Sequence, residues 1–265
     1  MKLLKTKDYE IYTFLDNLDL AKENSKFIQN FLENFDSLNL NYSNRNKLED
    51  EINYPIFGEK GKEIYFEVNE DQKNEILEVL KKTLIELKNF TKIKTNVFVL
   101  PTFDPFVKNE MGGSIGHCFV NNFIFIFLNP VTDFKKNLKE TLAHEFAHSV
   151  SPYYLKEEVK LGTCLVSEGL AEHFRESIFG GEVAPFSKAL NENEIKEYFE
   201  ELKSKLDSTE EELYLDVFFG SKKYPNWTGY TLGYYLVEKY LKDKQNIDWN
   251  VLLRKNPEEI LKEVL

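Results

Sequence analysis

The chain has 265 residues, of which 42% are hydrophobic and 30% are charged, and its formal net charge is −11 at pH 7. This composition excludes an intrinsically disordered protein and suits a globular chain that buries one large core, or a core with a small appendage. The acidic balance argues against a nucleic-acid-binding protein, because neutralising phosphates requires clustered Lys and Arg.

The amino terminus has basic residues but no apolar run of signal-peptide length, and no segment approaches the ~20 apolar residues of a membrane span. We therefore expect a cytoplasmic protein without a membrane span. Two cysteines, Cys118 and Cys164, are too few for a disulfide framework. In a reducing compartment they are expected to be free thiols.

The first 60 residues are expected to form a helical segment. Over residues 8–35, apolar side chains recur at the spacing of one or two amphipathic helices. We expect residues 1–60 to pack on an enzyme domain of residues 61–265, with the polar stretch 39–53 as the best candidate for a linker.

Beyond residue 60, all strand patterns lie before residue 130, and two of the three helical patterns follow them. Strands are expected over residues 64–68, 95–100 and 122–128, and helices over residues 76–87, 191–206 and 248–264. This order predicts an α+β fold with a small, mixed (partly antiparallel) sheet and a helical carboxy-terminal half.

The pentapeptide His144-Glu145-Phe146-Ala147-His148 carries the strongest chemical signal. Two histidines four residues apart share one helix face and can bind a single Zn²⁺. Glu145 is turned ~100° from His144 on a helix, so its carboxylate can reach a metal-bound water as general base without being a ligand. The pattern is typical of a zinc hydrolase.

A catalytic zinc needs a third protein ligand and one open position. The stretch Ser167-Glu-Gly-Leu-Ala-Glu-His-Phe174 offers Glu168, which follows His148 after 19 intervening residues. That interval accommodates a helix end near Pro152, a loop and a second helix. Glu172, at i+4 from Glu168, can then accept a hydrogen bond from the outer N–H of a ligating histidine.

These residues resemble the gluzincin metallopeptidases, in which HExxH is followed 18 or 19 residues later by a glutamate ligand. The combination of HEFAH, SEGLAEHF and a later GYTLGYYLV is most similar to the DUF2268 family of predicted Zn-dependent proteases, over roughly residues 95–240. The resemblance implies a zincin-like catalytic domain with one Zn²⁺ per chain, held by His144, His148 and Glu168. It also implies Glu145 as general base, and a peptide or protein as substrate.

Two further sets of residues follow from the resemblance. Tyr230, with Tyr234 as second choice, is expected to stabilise the oxyanion of the tetrahedral intermediate. In zincins a strand near the metal cleft presents its free edge to the peptide. The corresponding stretch here contains Gly113, Ser114, Gly116 and His117, although its glycines are equally consistent with a hairpin that leads into a core strand.

The favoured function is therefore a zinc peptidase in which Glu145 deprotonates the zinc-bound water and later protonates the leaving amine. A second hypothesis is a deformylase-like zinc amidase with Cys118 as third ligand, but the Glu-Gly-Cys-Leu-Ser signature of deformylases is absent. A third is a catalytically silent zincin-fold binding module. The intact Glu145 argues against it, because a structural metal site has no use for a base.

Overall fold

A computed structural model describes residues 2–16, 18–42, 47–58, 66–120, 122–130, 133–154 and 159–265. The chain divides into two compact units, residues 1–149 and residues 150–265. Within the described ranges, no helix is both long enough and apolar enough to cross a membrane. The proposed division at residue 60 stays a prediction.

The first unit is built on a mixed sheet, as predicted. Its described strands are β1 (Lys2–Lys5), β2 (Tyr9–Thr13), β3 (Thr95–Pro101), β4 (Ser114–Val120) and β5 (Phe123–Leu128). They lie in the order β1-β2-β3-β5-β4. The β2–β3 and β3–β5 pairs are parallel, whereas β1–β2 and β4–β5 are antiparallel, which leaves β4 at one edge of the sheet.

Helices of the first unit follow the predicted pattern beyond residue 66. The described helices are α1 (Asn24–Ser37), α2 (Leu48–Phe57), α3 (Glu70–Leu87), α4 (Pro105–Asn109) and α5 (Phe134–Val150). Helix α3 begins with a capping box in which the Asn69 side chain accepts from the Gln72 N–H. Helix α5 ends at Val150, two residues before Pro152, because the residue preceding proline disfavours helical backbone.

The prediction of a purely helical amino terminus is wrong. Residues 2–5 and 9–13 form β1 and β2, Leu18–Lys22 form a short 3-10 helix, and the first described α-helix begins at Asn24. The five residues of β2 are all buried, because the strand pairs with a neighbour on each side. Glu10 and Thr13 stand among its apolar residues without strict alternation, so the sequence of β2 alone does not distinguish a strand from a helix.

Two other element predictions also needed correction. Residues 66–69 form no strand, and Ile64 lies outside the described residues. Part of the expected linker, from Leu48 onwards, is helix α2, while residues 43–46 lie outside the described residues.

Aromatic side chains fill the core between α1 and the sheet. The Phe98 ring stacks on Tyr12 of the neighbouring strand at 4.9 Å and on Phe125 at 4.8 Å. Phe35 of α1 contacts Phe98 at a centroid distance of 5.2 Å. Because each fully buried aromatic ring removes a large apolar area from water, this cluster anchors α1 to β3 and β5.

Glu10 is a buried carboxylate at the start of β2. Its side chain is 5% exposed and pairs with Lys5 at 2.7 Å, with Lys94, and with the Tyr12 hydroxyl, which donates to it. Burial alone would raise the Glu10 pKa, but the hydrogen bonds from Lys5, Lys94 and Tyr12 outweigh it and lower the pKa to about 2. The ionised form of Glu10 therefore stabilises the folded chain.

We expect Glu10→Gln to lower the free energy of unfolding by about 1–2 kcal/mol at pH 7, a range discounted for the partly exposed lysines. A carboxyl group whose pKa is lower in the folded than in the unfolded chain stabilises the fold at pH values above its unfolded-state pKa. This stabilisation is lost as the pH falls towards the folded-state pKa. The window here is pH 4.5 down to about 2. Urea midpoints at pH 7 and pH 2.5 measure the effect, and an equal difference between wild type and variant at both pH values would contradict it.

The second unit is helical throughout its described elements, as expected for the carboxy-terminal half. These are α6 (Leu161–Phe179), α7 (Glu192–Leu202), α8 (Glu211–Phe219), α9 (Thr228–Leu241), α10 (Trp249–Leu252) and α11 (Pro257–Val264). Gly180 ends α6 with a positive φ of 64°, a conformation that glycine adopts easily. The single helix expected over residues 248–264 is two helices, because Asn256 caps a new one that has Pro257 in its first turn.

Helices α6 and α9 make the closest helix contact of the second unit, through two glycines. A Cβ atom at Gly169 would lie 2.1 Å from the Gly233 carbonyl oxygen, and a Cβ at Gly233 would lie 2.1 Å from the Leu165 carbonyl oxygen. Both obstacles are backbone atoms, which cannot rotate away. The two helices can therefore approach this closely only where neither has a side chain.

Gly233→Ala is expected to force α6 and α9 apart and to lower the free energy of unfolding by about 2–3 kcal/mol. Gly180→Ala is the matched control, since a Cβ there would meet nothing within 4 Å and only the positive φ opposes it. Its cost is expected to be about 1 kcal/mol. Thermal unfolding of both variants checks the difference, and equal costs would refute the steric explanation.

Candidate metal centre

Helix α5 brings the two histidines of the pentapeptide together. The Nε2 atoms of His144 and His148 lie 3.1 Å apart, and the ring planes are inclined at 78°. His148 is buried, whereas His144 is half-buried. This is the arrangement that i and i+4 positions on one helix face predict.

Glu168 lies on α6 and is 7% exposed. Its carboxylate has two titratable neighbours that the sequence analysis missed. Burial and the Glu168 charge together raise the pKa of Cys164 to about 12 and raise the pKa of Tyr214. The i−4 spacing of Cys164 on the same helix was a usable signal, but no sequence pattern pointed to Tyr214.

His144, His148 and Glu168 form a group that could hold a metal ion, with their potential ligand atoms all within 4.8 Å of one another. Two ligands of a tetrahedral zinc at ~2.0–2.1 Å are separated by roughly 3.3 Å. The 3.1 Å between the two Nε2 atoms fits that value. Two imidazoles and one carboxylate also match a zinc donor set in chemistry, and Cys118 is not a member of this group.

Glu145 is buried against strand β4. It is 7% exposed, and its side chain packs at Gly116. Burial, and then the charge of Glu145, raise the pKa of the Cys118 thiol well above its usual range. The Cys118 thiol donates a hydrogen bond to the Val120 carbonyl at 3.3 Å. The Cys118 thiol is therefore engaged within its own strand.

The residues expected on a substrate-binding edge lie on or next to β4. Gly113 has a positive φ of 85° and immediately precedes the strand. Ser114 and Gly116 pair with Leu128 and Ile126 of β5. The His117 ring lies 4.2 Å from that of Phe119 and, by strand alternation, on the face of β4 that is turned away from Glu145. Contact of these residues with a substrate stays a prediction.

Glu172 belongs to a buried ion-pair network. Its carboxylate accepts hydrogen bonds from the Arg175 guanidinium and from the Ala184 N–H at 3.3 Å. Arg175 is itself 2% exposed and also donates to the carbonyls of Gly180 and Glu182. The network attaches the segment after α6 to the helix. The predicted hydrogen bond from the outer N–H of a ligating histidine to Glu172 stays a prediction.

The two candidate tyrosines of α9 have different surroundings. The Tyr234 ring stacks on His173 at 4.1 Å, and its hydroxyl donates to the Glu176 carboxylate at 3.1 Å. The Tyr230 ring contacts Phe186 and Phe218 at centroid distances of 5.3 and 5.1 Å. The Tyr234 hydroxyl is thus already engaged by a carboxylate within its own unit.

Comparison with known proteins gives the chain a family. A model of the family described as "Predicted Zn-dependent protease (DUF2268)" matches residues 73–262. The chain is also 26% identical over 167 residues to "Uncharacterized protein YjfC" of Bacillus subtilis (strain 168). That alignment covers 58% of this chain and 55% of the relative, so the chain spans about half of the relative's length. No solved structure matches the chain. Because the family match covers well over half of its residues, the chain belongs to the DUF2268 family of predicted Zn-dependent proteases.

Proposed function

We propose that this protein is a zinc-dependent peptidase with a zincin-like catalytic centre. His144, His148 and Glu168 would hold one zinc ion per chain, and Glu145 would act as general base. The observation that carries the proposal is the grouping of these three ligand atoms within 4.8 Å on a chain whose family is predicted to be zinc-dependent. Peptides or proteins are the corresponding substrates.

The three donors would leave one coordination position of the zinc open for water or substrate, because a closed structural site has four protein ligands. Zinc bound there would supply a Lewis acid that polarises a carbonyl oxygen and lowers the pKa of water. The Nε2 atoms of His144 and His148 lie 3.1 Å apart on one helix, which supports their role as two of the ligands. Glu168 adds an anionic ligand, so the net charge of the loaded site would be +1.

Glu145 follows the first ligand directly in sequence, and its burial separates its carboxylate from bulk water. In the proposed reaction, this carboxylate accepts the proton of the attacking water and then transfers it to the leaving amine. Both transfers need the same oxygen within hydrogen-bond reach of the reacting atoms. The position of the Glu145 side chain is therefore as important to the proposal as its chemistry.

Tyr230 remains the first choice for the oxyanion donor. Its ring packs against Phe186 and Phe218, which would hold it in one orientation, whereas the Tyr234 hydroxyl donates to Glu176. We expect Tyr230→Phe to lower kcat by about 10²-fold. Tyr234→Phe should change kcat by less than about threefold, which provides the matched control. The reverse order of effects in steady-state kinetics would assign the role to Tyr234.

The function is tested by incubating the purified protein with a mixed-sequence peptide library and identifying the products by mass spectrometry. Cleavage that stops on addition of a zinc chelator and returns with added zinc supports the proposal. Cleavage that the chelator leaves unchanged, or a zinc-loaded protein that cleaves nothing in the library, would count against it. The position of the new peptide ends would also separate endopeptidase from aminopeptidase action.

A further inference from the structure

The inner face of β4, defined by Ser114, Gly116 and Cys118, is turned towards helix α5. A Cβ built on Gly116 would point at the side chains of Glu145 and Thr141. Cys118, two residues further along the strand, is close enough to Glu145 to feel its charge. Side chains at alternate positions share one face of a strand, so this face runs along the helix that carries Glu145.

Gly116 leaves the space that the Glu145 side chain fills. An ideal Cβ at residue 116 would lie 2.2 Å from Glu145 Cγ, 2.9 Å from its carboxylate carbon and 2.9 Å from Thr141 Cγ2. Contacts below 3 Å are not tolerated, so an alanine would displace one of these groups. Because the nearest atom is Glu145 Cγ, the displacement would fall first on Glu145.

Backbone geometry does not explain this glycine. Gly116 is absent from the glycines with positive φ, so its strand conformation suits any L residue. Gly116 pairs in register with Ile126 of β5. Glycine weakens a strand, and in the middle of one it often marks a close approach by another group. The group that approaches here is a carboxylate side chain of the chain itself.

We propose that Gly116 is a positioning residue for the general base: its missing side chain lets Glu145 lie flat against β4 and fixes where the carboxylate is presented. This inference rests on the proposed peptidase function. It differs from the expectation that this stretch presents its free edge to a peptide, because the contact is with Glu145. A misplacement of about 1 Å in a reacting group can cost about 100-fold in rate.

The test compares Gly116→Ala with wild type and with Ile115→Val, a control on the opposite face of the same strand. We expect Gly116→Ala to retain one zinc per chain and to lower kcat by about 100-fold, with KM changed by less than about threefold. Ile115→Val should retain wild-type kcat. A Gly116→Ala variant with wild-type kcat would overturn the inference, as would one whose whole loss lies in KM.

A double-mutant cycle keeps the inference testable without turnover. Gly116→Ala is expected to lower Tm by about 5 °C when Glu145 is present, and by less than half of that in a Glu145→Ala background, where Cγ is missing. Equal shifts in both backgrounds would overturn the inference. A wild-type protein without zinc or hydrolysis would refute the proposed function instead, and the cycle would still report on the contact.

Discussion

Replacing Glu145 by Gln is expected to lower kcat by about 10³- to 10⁴-fold while zinc content stays at one ion per chain. Glutamine keeps the shape of the side chain and its packing against Gly116, but it cannot accept the proton of the attacking water. Because Glu145 is not among the three candidate ligands, the metal should remain bound. Single-turnover kinetics on a peptide that the wild type cleaves, with elemental analysis of the same sample, measures both quantities.

The matched control is Glu75→Gln, an exposed carboxylate of α3 that pairs with Lys135 of α5 at 3.0 Å. It should leave kcat unchanged, since Lys135 lies nine residues before His144 and on the opposite side of α5. A Glu145→Gln variant with hydrolysis within tenfold of wild type would exclude Glu145 as the base. If the variant instead lost its zinc, Glu145 would have a role in metal binding that the proposal does not contain.

Glu168→Ala is expected to weaken zinc binding by more than about 100-fold and to abolish hydrolysis at stoichiometric zinc. The two histidines alone provide only two of the three protein ligands that a catalytic zinc requires. A competition assay with a chromophoric chelator measures the affinity. Excess zinc should restore part of the activity, because the base and the histidines are unchanged.

The zinc content of Cys118→Ser, compared with that of Glu168→Ala, distinguishes the two candidate third ligands. A deformylase-like centre would take its third ligand from Cys118, so the loss of zinc in Cys118→Ser and its retention in Glu168→Ala would support that alternative. The proposed centre predicts the opposite pattern. The buried thiol already has a hydrogen-bond acceptor in the Val120 carbonyl, so serine should be tolerated there.

The sequence predicted most of what local spacing determines. The i, i+4 histidines and the helix end before Pro152 depend on helix geometry within one element, and both agree with the structure. The family match over residues 73–262 extends beyond the resemblance seen in residues 95–240. Strand β3 and helix α3 also appear where their apolar patterns indicated.

What the sequence did not predict depends on partners distant in the chain. Strand β2 forms because it pairs with β3, which begins more than 80 residues later, and its own sequence has no strict apolar–polar alternation that would indicate a strand. The approach of Glu145 to Gly116 joins a helix to an edge strand 29 positions earlier, so no local pattern contains it. Arg175, which binds Glu172, was visible at i+3 but could be weighed only once its burial was known.

The central claim is that one zinc ion, held by His144, His148 and Glu168, is necessary for peptide hydrolysis. The most direct test removes metal from the wild-type protein and titrates zinc back while cleavage is measured. We expect no hydrolysis without metal, and a linear rise in rate that ends at one equivalent of zinc per chain. Full hydrolysis by the metal-free protein, or a rise that continues to two equivalents, would contradict it.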